Sequence, residues 1–173
     1  MKGIVLYKSK YGNTKQYAQW IADDLKFEVR DLSKFKKSEI DNFDQIIFGT
    51  GVYMGKMNNL KKVLKLFKDK PITIFACAGN SGVEKEIQDI KFNNFKPEEL
   101  SFHHFFYLPG GVDFSKIKGI MKLMINIFRK VLQNKKDKTY DEEQILKGFT
   151  EPSNYVEKEN IKEIVEFTHK NAK

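Results

Sequence analysis

Ser9-Lys10-Tyr11-Gly12-Asn13-Thr14 lies between an apolar run over residues 1–7, centred on Ile4, Val5 and Leu6, and a helical pattern that begins near Thr14. A β-branched run, a tight loop bearing hydroxyls and glycine, and then a helix together make a phosphate cradle. Successive backbone N–H groups point inward and the helix N-terminus carries partial positive charge. Gly12 suits the sharp turn because it has no Cβ to obstruct an anion or to strain a left-handed dihedral. Ser9 and Thr14 can each donate an O–H to a phosphate oxygen. The stretch has neither G-x-x-x-x-G-K-[ST] nor G-x-G-x-x-G, so neither common nucleotide fingerprint is present. The competing reading is a Ser/Gly/Asn turn that merely feeds a helix cap.

The remaining elements decide between the two. The pattern predicts a strand over 3–7 and a helix over 13–26 with Tyr17, Ile21 and Leu25 at helical spacing and Trp20 beside them. A short strand follows over 27–32, then a helical or turn segment over 34–42. Residues 44–49 read as a third strand, whose apolar run Ile46-Ile47-Phe48 is of the kind buried on both faces. A second glycine-bearing loop spans 50–56, and a helix over 58–67 places Leu60, Val63, Leu64 and Phe67 on one stripe. A fourth strand over 71–78 starts with the Pro that strands tolerate at their first position, and ends in Gly79-Asn80-Ser81-Gly82. A polar helix over 83–90, a turn over 97–100, a fifth strand over 102–108 and a final helix over 156–170 complete the series.

Strands alternating with helices imply a doubly wound parallel α/β sheet of five strands in the order 2-1-3-4-5. The three glycine-bearing loops then fall at one edge, beyond the carboxyl ends of the strands. That agreement favours the phosphate cradle over the simple turn. With 173 residues and 40% apolar composition the chain is expected to fold as one domain, 1–173, carrying an insertion over about 109–150.

Bulk properties set further bounds. Lys2 and Gly3 lead into a strand without a leader's cleavage site, no apolar run reaches membrane-spanning length, and there is one cysteine, Cys77. A cytoplasmic protein without internal disulfides is expected. Three histidines and one cysteine give no spaced ligand set, so no metal site is expected. The net charge of +8 points either to an anionic partner surface or to a lysine-rich compositional bias.

With the loops placed, the chain resembles the flavodoxin superfamily over nearly its whole length. The first loop is similar to the flavodoxin [TS]-x-x-G-x-T pattern. Within the superfamily the chain looks most similar to the flavodoxin-domain family of menaquinone-dependent protoporphyrinogen IX oxidase. That similarity rests on Gly12-Asn13-Thr14 with Tyr17-Ala18, on the stretch from Ile47 to Lys56, and on an apolar-basic insertion containing Met121-Lys122-Leu123-Met124.

The resemblance implies one bound FMN. Its phosphate would lie in Ser9, Lys10, Tyr11, Gly12, Asn13 and Thr14. Its ring would lie between Thr50, Gly51, Val52, Tyr53, Met54 and Gly55 on one side and Cys77, Ala78, Gly79, Asn80 and Ser81 on the other. Tyr53 would stack on the ring, the alternative being a surface loop aromatic. Cys77 reads as a small buried residue rather than a redox thiol. Many flavodoxin carriers have aromatics in both ring loops and acidic surroundings. Here the second loop lacks an aromatic and neither loop has Asp or Glu. A neutral or positive pocket is therefore expected, with a less strongly reducing flavin.

Residues 114–132 form a helical pattern with one broad apolar face made by Ile117, Ile120, Met121, Met124, Ile125, Ile127, Phe128, Val131 and Leu132. Lys116, Lys118, Lys122, Arg129 and Lys130 gather opposite, and more lysines follow to residue 138. The favoured reading is a helix packed on the sheet edge. The alternative is a helix over 114–138 that covers the flavin edge or makes peripheral contact with an anionic membrane. His103 and His104 are placed on the fifth strand as polar filler, and no catalytic acid or base is assigned.

The expected function is an FMN oxidoreductase of the protoporphyrinogen-oxidase-like type, passing electrons from a reduced substrate to a quinone or other acceptor. A soluble electron carrier serving an acidic redox protein is the alternative. A flavin-free interaction module is the third reading, and no element for specific nucleic-acid recognition is present.

Overall fold

The computed structural model describes residues 2–79, 82–114, 117–150 and 152–171. Its main sheet is built from β1 (Gly3–Lys8), β2 (Glu28–Asp31), β3 (Gln45–Tyr53), β4 (Lys56–Met57), β5 (Thr73–Ala78) and β6 (His104–Pro109). Five strands run parallel in the order β2-β1-β3-β5-β6, and the short β4 pairs antiparallel with β3. With β4 set aside, this is the expected doubly wound order. The helices are α1 (Asn13–Leu25), α2 (Leu60–Leu66), α3 (Glu84–Asn94), α4 (Pro97–Phe102), α5 (Gly119–Asn134), α6 (Tyr140–Gly148) and α7 (Lys162–Lys170).

The period-two geometry of a strand splits β1 between two cores. Ile4 and Leu6 join Ile46, Phe48 and Ile74 under Leu60, Val63, Leu64 and Phe67 from α2 and its C-terminal end. Val5 joins Ile47 and Phe75 under Tyr17, Ile21 and Leu25 of α1 and Ile161 and Ile164 from the C-terminal segment. All these side chains are buried, and each large one contributes roughly 1.5–3 kcal/mol relative to exposure. The central strands read as continuous apolar runs because both faces are covered.

Several boundaries differ from the sequence reading. The third strand runs on to Tyr53 and turns through Met54 and Gly55, both at positive φ, into β4. The polar helix extends to Asn94, and the turn after it is the helix α4, opened by Pro97. Residues 34–42 resolve into two 3-10 turns, Leu32–Lys34 and Lys37–Asn42. A 3-10 turn, Lys158–Ile161, precedes α7. His103 lies before β6 rather than on it.

The insertion departs furthest. Its two ends meet as an antiparallel pair, β7 (Gly111–Val112) and β8 (Ser153–Asn154), with Gly111 opposite Asn154 and Val112 opposite Ser153. Between them α5 packs on α6, and Phe149 touches both Phe114 and Phe128. The expected burial of the stripe holds only in part. Ile117 and Leu132 are buried and Ile125 is half-buried, but Ile120, Met124, Ile127, Phe128 and Val131 are exposed. Lys116, assigned to the polar face, lies outside the described residues. No described helix is long and apolar enough to cross a membrane.

Candidate functional site

The carboxyl ends of β1, β3 and β5 open onto a cavity of about 420 Å³, within the size range of small-molecule sites. Ser9, Tyr11, Asn13 and Thr14 line it from the first loop, Gly51, Val52 and Tyr53 from the second, and Cys77, Ala78 and Gly79 from the third. Parallel pairing of β3 with both β1 and β5 brings these loops side by side: Lys8 lies opposite Thr50, and Gly51 opposite Cys77.

The first loop leaves several hydrogen-bond donors without partners among the described residues. Gly12 is the N-cap of α1 at φ 106°, a value that L side chains rarely adopt. Its N–H donates to Ser9 Oγ (3.1 Å) and its carbonyl accepts from Gln16 N–H (2.9 Å). The Ser9 hydroxyl proton remains available to a ligand. No side chain caps α1 and its first turn has no acidic residue. The N–H groups of Asn13, Thr14 and Lys15 therefore have no acceptor among the described residues. Unpaired N–H groups at the positive end of a 13-residue helix are favourable surroundings for an anion.

Aromatic rings form the adjoining part. Tyr11 and Tyr53 meet edge to face with centroids 6.1 Å apart, and the Tyr53 ring lies against Gly51. Lys10 does not line the cavity. Its ammonium sits over the Tyr11 ring at 5.1 Å and over the Tyr53 ring at 6.0 Å. Burial raises the Tyr53 phenol above the ordinary tyrosine value, Tyr11 and Cys77 add to this, and a backbone hydrogen bond from Lys10 works against it.

Cys77 is pushed up to about 12 by burial, with a Thr14 hydrogen bond offsetting part of the shift. At neutral pH it is a thiol rather than a thiolate.

Other sequence-assigned residues lie apart from the cavity lining. The Thr50 hydroxyl is fully buried and donates to the Asn58 carbonyl (2.7 Å), which fixes the start of the second loop. Met54 is exposed, and the Gly55 carbonyl accepts from Asn94 Nδ2 (2.7 Å), holding the β3–β4 turn to α3. Asn80 and Ser81 lie outside the described residues.

Sequence reasoning missed a fourth wall. Gly111, Val112, Asp113 and Ile117 from the start of the insertion, and Pro152, Ser153 and Asn154 from its end, complete the cavity. Asp113 brings a carboxylate to the lining from the insertion, outside the two ring loops. The available signal was turn chemistry at both ends of the insertion, Pro109-Gly110-Gly111 and Pro152-Ser153-Asn154. Tyr17 anchors this wall: its hydroxyl donates to the Pro109 carbonyl (2.5 Å) and accepts from Asn160 Nδ2 (2.8 Å).

Both strand-region histidines are remote from the cavity, at the amino end of β6. His103 is buried, and its Nδ1 accepts from the Ile72 N–H (3.3 Å). The His104 ring packs on Phe167 at 4.4 Å. Among the described residues, no group of His, Cys, Asp and Glu is arranged to hold a metal ion.

The flavodoxin domain family matches residues 4–139. An uncharacterized protein of Methanocaldococcus jannaschii is 36% identical over 99 residues, covering 51% of this chain and 65% of that protein. The flavodoxin-like domain-containing protein BilS of Clostridioides difficile is 36% identical over 86 residues, 47% of this chain and 49% of its own length. The chain thus spans less than two thirds of the length of either curated relative. Among solved structures, a flavodoxin from the domain Archaea is 21% identical, covers 62% of this chain and 85% of its own, and superposes with a TM-score of 0.40. Oxidised flavodoxin 2 of Bacillus cereus is 16% identical, covers 63% and 86%, and gives 0.42. The sheet order and the glycine-bearing loops at its carboxyl edge agree with the match over residues 4–139, and the chain belongs to the flavodoxin-domain family.

Proposed function

We propose that this chain binds FMN at the carboxyl edge of its sheet and passes electrons from a reduced substrate to a quinone or another acceptor. The finer likeness is to protoporphyrinogen-oxidase-like flavodoxin proteins. Family membership supports a flavin-binding redox role in general. The observation that carries the specific reading is one cavity joining an uncapped helix N-terminus to a tyrosine pair. Ser9, Thr14 and the N–H groups of Asn13–Lys15 would hold the phosphate without a cationic side chain. Tyr11 and Tyr53 would flank the isoalloxazine, and Gly79 would let the third loop approach it. Val112, Asp113 and Ile117 would shield it from water on the insertion side. When bound, FMN supplies the redox centre that these side chains lack.

A soluble electron carrier is the second reading. The observation favouring it is the Lys10 ammonium at the cavity rim within a +8 chain, a surface suited to an acidic redox partner.

The test is cofactor identity followed by stepwise reductive titration. The purified protein should release FMN on heating and rebind it at least ~100-fold more tightly than riboflavin, because the donors at α1 address the phosphate. A colourless protein that stays colourless in excess FMN overturns the proposal, and so does equal affinity for riboflavin. Turnover with a quinone separates the enzyme from the carrier.

A further inference from the structure

α5 presents apolar side chains to two surroundings. Leu132 turns inward at 5% exposure. Ile120, Leu123, Met124, Ile127, Phe128 and Val131 are 48–73% exposed. At roughly 100° per residue these six fill one continuous arc of about 140°. From Ile120 to Val131 no polar side chain interrupts that arc. Lys122, Arg129 and Lys130 occupy the rest of the surface side, with Lys130 at the edge of the arc.

Along α5 and its immediate flanks the charged side chains have one sign. Residues 114–136 contain seven Lys or Arg and no Asp or Glu. Lys135 is held by Glu142 at 2.7 Å. Lys118, Lys122, Arg129, Lys130 and Lys136 have no carboxylate partner among the described residues. Large exposed apolar patches on soluble proteins mark interaction surfaces, and this one is bordered by cations without counter-charges among the described residues.

We propose that α5 docks this protein on the surface of anionic lipid bilayers, lying in the plane of the membrane with the Ile120–Val131 arc in the acyl boundary. Three observations select lipid over other occupants. A second copy would bring another chain of net charge +8 and the same cations against this face. A protein partner's interface carries about one hydrogen bond per 100–200 Å², and the arc offers no donor or acceptor. A helix of 16 residues is about 24 Å long, with Phe and aliphatic residues on one side and Lys and Arg on the other, as in interfacial helices. The stems of Lys122 and Lys130 can run along the apolar boundary while their ammonium groups reach phosphate oxygens.

The experiment is co-sedimentation of the full chain with phosphatidylcholine vesicles and with phosphatidylglycerol-rich vesicles. It does not depend on bound flavin. Binding to the anionic vesicles should be at least ~10-fold tighter, and should weaken by a similar factor between roughly 0.05 M and 0.5 M salt. Ile127→Glu, on an exposed site, should reduce binding ~10-fold or more with an unchanged circular dichroism spectrum and melting curve. Lys122→Glu combined with Lys130→Glu should remove most of the salt-sensitive part. Equal binding to both vesicles, no binding, or indifference to Ile127→Glu overturns the proposal. A dimer in sedimentation velocity that Ile127→Glu dissociates also overturns it, in favour of self-association.

Discussion

Asn13 Nδ2 donates a hydrogen bond to the Gly111 carbonyl across 3.0 Å, tying the first turn of α1 to the strand that opens the insertion, 98 residues later. Asn13 thereby couples the anion cradle to the fourth wall of the cavity. Removing the side chain leaves its backbone N–H in place. Asn13→Ala loses one hydrogen bond worth about 1 kcal/mol, so the FMN dissociation constant should rise about fivefold in a fluorescence titration. Asn13→Asp separates stability from binding. A carboxylate at the first turn stabilises the helix by roughly 0.3–1 kcal/mol but repels a phosphate. Aspartate also lacks the donor to Gly111, so the ligand-free protein should melt close to Asn13→Ala, while FMN affinity falls further than in Asn13→Ala. Parallel losses in both would show that Asn13 acts only through the fold.

Gly79 and Val112 bring the third loop and the insertion into close contact. A Cβ built on Gly79 would overlap Val112 Cγ2, while Val112 Cβ would stand 3.3 Å away. Gly79→Ala should therefore destabilise the protein by about 1–3 kcal/mol, the usual cost of overpacking. Val112→Ala removes the overlapping methyl. The double variant should recover most of the loss, giving a favourable coupling in a denaturation cycle. Additive losses would show that Val112 is not what the third loop meets.

The elements that carry the sheet were legible because their periodicities are forced by burial. Ile4, Val5 and Leu6 are apolar in succession since β1 is covered on both faces, and Tyr17, Ile21 and Leu25 recur at helical spacing since α1 is covered on one. The β3–β4 turn was hidden by Met54, which adopts φ 50° although such values favour Gly or Asn. β7 and β8 are two residues each and pair across the whole insertion, so no local pattern announces them. The α5 stripe shows the limit most directly. Ile127 and Leu132 belong to one apolar periodicity, yet one is 55% exposed and the other 5%. Periodicity defines a face; tertiary placement decides what that face meets. The same limit concealed Asp113 and Asn154, which reach the cavity only because the insertion's ends converge there.

His103 gives the fold an acid-side sensitivity. Burial lowers its pKa, the Glu99 charge opposes this, and His104 adds to the lowering. In the unfolded chain a histidine binds its proton near pH 6.5, before the native one does. The unfolded state then holds more protons in that window, so stability rises with pH through it and is lost as pH falls below about 6.5. His103→Gln keeps an acceptor for the Ile72 N–H without a titrating group. Its melting temperature should fall less than the wild type's between about pH 7.5 and about pH 5.5. Equal slopes would place the acid sensitivity elsewhere.

Cys77 should be inert in the folded protein although it lines the cavity. Its thiol, pushed up to about 12 by burial, has almost no thiolate at neutral pH, and thiolate is the reactive form. Labelling by a disulfide reagent at about pH 8 should be at least ~100-fold slower than for free cysteine, and complete only in denaturant. The same shift has a stability consequence of opposite sign to that of His103. Between the ordinary cysteine value and 12 the native state holds the extra proton, so stability should decline as pH rises across that range. Cys77→Ala should flatten this alkaline decline and should leave FMN binding within a few-fold, since Cys77 contributes shape to the cavity and no charge. Rapid labelling of the native protein would mean that the thiol is activated, and Cys77 would then belong to the chemistry of the site.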